Sequence, residues 1–210
     1  MIKSFSLAAS VALGLTFTGM PAAGFDYYVL ALTWTPTWCQ TDGGPEDAQR
    51  GGQCDPARDL GFTLHGLWPQ DAAGGWPEYC DTDARDPSRR ETAAMADVMG
   101  SGGLAWYQWK KHGRCSELEP EDYFAASRRV YEALLLPAPP AGASPGAIEA
   151  AFLKANPALS SDGVIVTCGG GQLQEIRICL TPDFMPRACG QDVQEDACRA
   201  RGRLDVPDLR

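Results

Sequence analysis

The sequence predicts a disulfide-stapled single domain of α+β fold, with a central, mainly antiparallel sheet flanked by helices. Three observations carry that expectation. Strand-like runs lie towards both ends of the chain, helical periodicity fills the stretch between them, and eight cysteines are spread along the whole.

Residues 1–24 read as an export signal outside the fold. Lys3 supplies a positive start, residues 5–19 form an apolar run too short to span a bilayer, and Ala22-Ala23-Gly24 offers small residues for cleavage before Phe25. Residues 25–210 are then expected to form one secreted or periplasmic domain. No later apolar run reaches membrane-spanning length, so the mature form is expected to be free of the membrane.

Residues 25–34 (FDYYVLALTW) are aromatic and apolar enough for a strand, ended by Pro36. Residues 40–59 are rich in Gly, Asp, Gln and Pro and read as a loop between Cys39 and Cys54. Residues 61–69 (GFTLHGLWP) form a short apolar strand with a histidine inside it, and residues 70–88 return to loop composition. Residues 87–99 predict a modest helix with Ala94, Met95, Val98 and Met99 on one stripe. Residues 121–135 predict a stronger one, with Pro120 and the acids Glu119, Glu121 and Asp122 at its start. A Pro/Ala/Gly loop, 136–146, leads to a short helix over 147–155. Residues 163–168 (GVIVTC) and 173–180 (LQEIRICL) predict two strands joined at Gly169-Gly170-Gly171. That glycine triplet joins strand to strand and no Lys-Ser/Thr follows it, so it is a hairpin turn and not a phosphate-binding loop. The tail is irregular. Trp34, Trp106 and Trp109 are expected in the core.

A net charge of −9 argues against a protein that coats nucleic acid through bulk charge. It does not exclude a nucleic-acid substrate held in a local cationic pocket, and Lys110, Lys111 and Arg114 cluster around His112. An even cysteine count in an exported chain implies disulfides, whose pairing the sequence leaves open. No C-x-x-C pair exists, so zinc is not expected, and no cofactor is implied.

The chain has two histidines, His65 and His112. Each alone reads as a core or surface residue. Together they offer a general base and a general acid near neutral pH, which suits transesterification at a phosphodiester. One imidazole would take a 2′-hydroxyl proton, the other would protonate the departing 5′-oxygen, and Lys111 would stabilise charge on the phosphoryl oxygens. A Cys80–Cys115 bridge would tie both histidine segments to one region. A carboxylate-based hydrolase using Glu117 and Glu121 is the weaker reading, since helix-start electrostatics explain both acids.

At these residues the chain resembles the ribonuclease T2 family of secreted endoribonucleases. FTLHGLWPQ (62–70) is close to the family's L-H-G-L-W-P, and QWKKHGRCS (108–116) to its H-E-W-x-K-H-G-T-C. Supporting matches are WTPTWC (34–39), EDYF (121–124) and the C-terminal cysteines. The resemblance implies His65 as general acid, His112 as general base and Lys111 at the transition-state phosphate, with Trp68 and Trp76 stacking a base. It implies the pairs Cys39–Cys54, Cys80–Cys115, Cys168–Cys198 and Cys179–Cys189. RNA is the implied substrate and DNA is expected to be inert; no oligomerisation signal is visible, so a monomer is expected. Gln70 stands where some members carry a base-reading aspartate, so an adenine preference is not carried over. Tyr107 and Gln108 replace the family's His-Glu, and Arg114 its commoner threonine. Tyr107 can donate a hydrogen bond, Gln108 keeps the shape of glutamate without its charge, and Arg114 would restore phosphate affinity. Activity with a changed pH profile is expected; the alternative is a catalytically weakened relative acting as an RNA-binding or interaction protein.

Overall fold

The computed structural model describes residues 24–49 and 51–209. The expected export signal therefore lies, except for Gly24, outside the described residues.

Four strands, β1 (Tyr27–Trp34), β2 (Phe62–Gln70), β3 (Val164–Gly169) and β4 (Gln172–Leu180), form one sheet in the order β2-β1-β4-β3. Every pairing is antiparallel. Side chains alternate across a strand, and the alternation here divides the apolar residues between two clusters. Tyr28, Leu30, Leu32 and Trp34 of β1 join Leu64, Val166, Ile176 and Ile178 in the main core. Tyr27 and Val29 join Ile165 and Cys179 on the opposite face. Burial on both faces explains why β1 reads as a nearly unbroken apolar run.

The helical segments are α1 (Thr35–Trp38), α2 (Gly44–Gln49), α3 (Arg89–Ala93), α4 (Ala96–Met99), α5 (Gly102–Lys111), α6 (Pro120–Glu132), α7 (Pro145–Ala155) and α8 (Gln191–Glu195). Several differ from expectation, α8 among them, since the tail reads as irregular. The Cys39–Cys54 segment read as a loop contains helical turns. Pro36, expected to end the strand, also occupies the first turn of α1, where its missing N–H costs nothing. The helix expected over 87–99 starts at a capping box between Ser88 and Glu91 but divides into α3 and α4, because the Met95 N–H reaches back only to the Thr92 carbonyl. α5 was hidden by Gly102-Gly103. Ser101 caps it by accepting from the Leu104 N–H, and Ala105, Gln108 and Trp109 supply a buried stripe at i, i+3 and i+4. Trp34 and Trp109 are buried as expected, whereas Trp106 is 41% exposed, because it faces away from that stripe.

α6 fastens the edge strand β2. The Tyr123 hydroxyl donates to the Leu67 carbonyl at 2.9 Å and the Tyr131 hydroxyl to the Phe62 carbonyl at 2.9 Å. All four implied disulfides are present. Cys80–Cys115 joins the loop after β2 to the turn after α5.

Trp109 is fully buried among Tyr123 and Phe124. Trp109→Ala is expected to cost about 3–5 kcal/mol of stability by urea denaturation, the usual loss for deleting a buried tryptophan.

Candidate active site

The site begins with a register shift in the sheet. Leu32 pairs with Leu64 and Ala31 with Gly66, so His65 is an extra residue in β2 with no partner on β1. Before this bulge Phe62 and Leu64 face the main core; after it Leu67 does. Alternation therefore changes phase, and His65, Trp68 and Gln70 all end on the other face, where they line one cavity of about 480 Å³. In a regular strand, positions 65 and 68 would face opposite sides.

β4 adds two residues to that face. Glu175 Oε1 lies 2.6 Å from His65 Nδ1, and Glu175 Oε2 accepts from Arg177 Nε at 3.1 Å. Burial pushes the Glu175 carboxyl up, but the His65 hydrogen bond and charge and the Arg177 guanidinium outweigh it, so its pKa lies below the ordinary glutamate value. An ionised carboxylate only accepts, so His65 Nδ1 carries the hydrogen and Nε2 is the nitrogen left for a ligand. Arg177 also lies over the Trp68 ring, 5.5 Å from its centroid, and Nη1 donates to Asp196 Oδ2 at 2.6 Å.

α5 supplies the opposite wall. His112 is the C-cap of α5, 5% exposed, and stacks on Trp68 with centroids 5.3 Å apart. Burial, then the charges of Lys111 and His65, hold its pKa down to about 3. His112 Nδ1 is buried and has no hydrogen-bond partner among the described residues. Gln108 is buried and its Oε1 accepts from Trp68 Nε1 at 2.7 Å. Gly66 makes room for that bond: a Cβ there would sit 2.3 Å from both atoms.

Lys111 is in the last turn of α5, where a cation suits the helix dipole, and its Nζ lies 3.5 Å from Glu78 Oε2. Trp76 Nε1 donates to the same oxygen at 3.3 Å. Trp76 and Tyr107 stand half-exposed at the rim. Gln70 is buried, its Nε2 donating to the Pro69 carbonyl at 2.9 Å. Asp192, Glu195 and Asp196 make the remaining side acidic.

Eight of the nine residues singled out in the sequence thus meet in one cavity: His65, Trp68, Gln70, Trp76, Tyr107, Gln108, Lys111 and His112. Arg114 lies outside it. Its Nε donates to the Cys80 carbonyl at 2.9 Å and its Nη1 lies 3.3 Å from Asp86 Oδ1, so it braces the disulfide loop. Sequence reasoning missed Glu175 and Arg177. The available signal was an opposite-charge pair at i and i+2 in an otherwise apolar strand. The α8 acids lay in a tail without periodicity. Among the described residues, no group of three His, Cys, Asp or Glu side chains is arranged to hold a metal ion.

A model of the ribonuclease T2 family matches residues 25–189. The chain belongs to the ribonuclease T2 family. Over 102 residues it is 39% identical to a ribonuclease of Aeromonas hydrophila, covering 49% of this chain and 43% of that protein. Over 122 residues it is 34% identical to Ribonuclease 3 of Arabidopsis thaliana, covering 52% and 53%. The chain spans about half the length of these curated relatives. The fold is shared more widely: an RNase-related protein from Calystegia sepium superposes with a TM-score of 0.67 at 21% identity, over 87% of this chain and 97% of that one.

The depressed His112 pKa makes a stability prediction. An unfolded histidine binds its proton near pH 6.5 and folded His112 only near 3. Between those values the unfolded state holds one more proton, so stability falls as the solution is acidified, by about 1.4 kcal/mol per pH unit from this group. Urea unfolding from neutral pH towards pH 3 is expected to show this slope in the wild type and to lack one proton's share of it in His112→Ala.

Proposed function

We propose that this chain is a secreted or periplasmic endoribonuclease that cuts single-stranded RNA without a metal, leaving a 2′,3′-cyclic phosphate. The observation that carries this reading is the convergence of two imidazoles on one cavity in opposite surroundings. His65 is backed by an ionised carboxylate, and His112 is neutral against an indole.

In this reaction His112, uncharged, removes the proton from the 2′-hydroxyl as O2′ attacks phosphorus. The bond from phosphorus to O5′ breaks, and His65 Nε2 delivers its proton to that oxygen. Lys111 and the Gln108 amide donate to the phosphoryl oxygens as charge grows there. The Lys111–Glu78 pair is partly exposed and worth about 0–1 kcal/mol, so phosphate draws Lys111 away at little cost. Tyr107 offers a hydroxyl donor at the rim. Trp68 is already stacked on His112 and beneath Arg177, so Trp76 presents the freer ring to a base. Stacking contributes roughly 1–3 kcal/mol and tolerates any base, which agrees with low base specificity. The acidic side of the cavity repels phosphate and leaves that side to the base. DNA lacks the 2′-hydroxyl nucleophile and is inert.

A second reading, RNA binding without turnover, is favoured by the neutral Tyr107-Gln108 pair. One digest separates them. Disulfide-intact protein incubated with a defined RNA oligomer and chelator is expected to yield cyclic-phosphate ends, and the all-deoxy oligomer to stay whole. His65→Ala and His112→Ala are each expected to lose about 10²–10⁴-fold in kcat. Full activity in both variants sinks the two-histidine reaction; tight binding with no cyclic phosphate at any pH establishes the second reading. Because folded His112 takes up its proton only near pH 3, kcat/KM is expected to pass the ordinary histidine range on the acid side without falling on its account.

A further inference from the structure

We infer that Glu175 is the positioning residue for the general acid of this site, fixing which ring nitrogen of His65 delivers the proton and where that nitrogen points. The inference rests on the ribonuclease reading above and deepens it.

His65 is poorly held by its own strand. It is the extra residue of a bulge, without a cross-strand partner, and its side chain is 33% exposed. Its ring contact with Trp68 is edge-on, with centroids 5.2 Å apart at 77°. An imidazole so placed can change rotamer or tautomer unless a second group holds it. Glu175 is such a group. It lies on β4, paired with Thr33 of β1 on one side and Thr167 of β3 on the other, so its backbone sits inside the sheet. Its side chain is 14% exposed, one oxygen 2.6 Å from His65 Nδ1 and the other bonded to Arg177 Nε. Asp196 holds Arg177 in turn. This chain of contacts runs from α8 through the sheet to the bulge. His112 has no carboxylate partner among the described residues, so Glu175 distinguishes the two imidazoles.

In the cleavage step Glu175 transfers no proton. O2′ bonds to phosphorus, the bond to O5′ breaks, the 2′ proton goes to His112 and the His65 Nε2 proton goes to O5′. Throughout, the carboxylate accepts from Nδ1–H and keeps Nε2 aimed at the leaving oxygen.

A group that acts only through the acid becomes dispensable when the leaving group needs no proton. The test therefore compares two substrates on one preparation: an RNA oligomer, and a ribonucleoside 3′-(para-nitrophenyl phosphate), whose nitrophenolate departs as an anion. Glu175→Gln is expected to lose about a hundredfold in kcat on RNA, within the range a positioned general acid contributes, with KM little changed. On the aryl ester the loss is expected to stay within about threefold. Glu175→Ala, which removes the acceptor altogether, is expected to lose at least as much on RNA and again little on the ester. Both rates come from the same protein, so a misfolded fraction cancels in their ratio. In the His65→Ala background, adding Glu175→Gln is expected to change neither rate. Equal losses on both substrates, no loss on RNA, or a further loss in the double variant overturns the assignment of Glu175 while leaving the ribonuclease reading intact. Wild-type protein that cleaves neither substrate overturns that reading and this inference with it.

Discussion

One extra residue in an edge strand is the constraint on which the cavity depends. A strand alternates its side chains, so the four positions from His65 to Trp68 would ordinarily divide between core and solvent faces. The bulge between the Leu32 and Ala31 pairings shifts the phase and brings His65, Trp68 and Gln70 to the same side while Leu64 and Leu67 both stay in the core. Such an irregularity must be held from outside the ladder. The α6 tyrosines do this, bonding the carbonyls of Phe62 and Leu67 on either side of the bulge. Gly66 contributes by having no side chain, since any Cβ there would crowd both the Gln108 oxygen and the Trp68 nitrogen.

Everything else in the cavity is placed relative to that bulged strand. The indole of Trp68 is the shared wall: edge-on to His65, stacked on His112, beneath Arg177 and hydrogen-bonded to Gln108. Through it the sheet and α5 hold the two imidazoles near one another although they arise 47 residues apart in sequence. Cys80–Cys115 and the Tyr79 N–H donated to the Lys111 carbonyl pin the intervening loop to the end of α5, which brings Trp76 and Glu78 to the rim. The pair then differs by surroundings alone. A carboxylate lies behind one ring; desolvation and a neighbouring ammonium act on the other. In the proposed reaction, opposed environments of this kind separate the acid from the base.

Much of this was legible in the sequence, and the boundary has a physical cause. Strands β1 to β4 announced themselves because apolar and aromatic side chains recur where the sheet buries them. The His65 and His112 segments announced themselves because rare residue types gather in them. What could not be read was anything that depends on phase or on partners distant in sequence. The bulge leaves no mark in LHGLW beyond a glycine. α5 was masked by two glycines that lower helix propensity, although the Ser101 cap and the Trp109 stripe outweigh them in the fold. Arg114 looked like a phosphate ligand because it sits two residues from His112. The turn after α5 directs it instead to the Cys80 carbonyl and Asp86. Glu175 joins His65 across 110 residues, and no local pattern reports such a contact.

A neutral side chain at position 108 suits its buried place beside an uncharged His112. Position 108 is 1% exposed, and the Trp68 N–H is the donor that meets its side-chain oxygen. A carboxylate in that place would be buried with one donor, beside an imidazole that burial already keeps uncharged. The least costly response would be to draw a proton onto one of the two groups. Protonated His112 could not take up the proton that the proposed reaction assigns to it, and a protonated carboxyl would be an amide mimic. Glutamine avoids both outcomes, since it accepts from Trp68 without a charge and keeps its amide N–H groups as donors. Tyr107, on the exposed side of the same helix, stays at the rim near Tyr79. Among the described residues the carboxylate that meets a histidine is Glu175 on β4, and it bonds His65 and not His112.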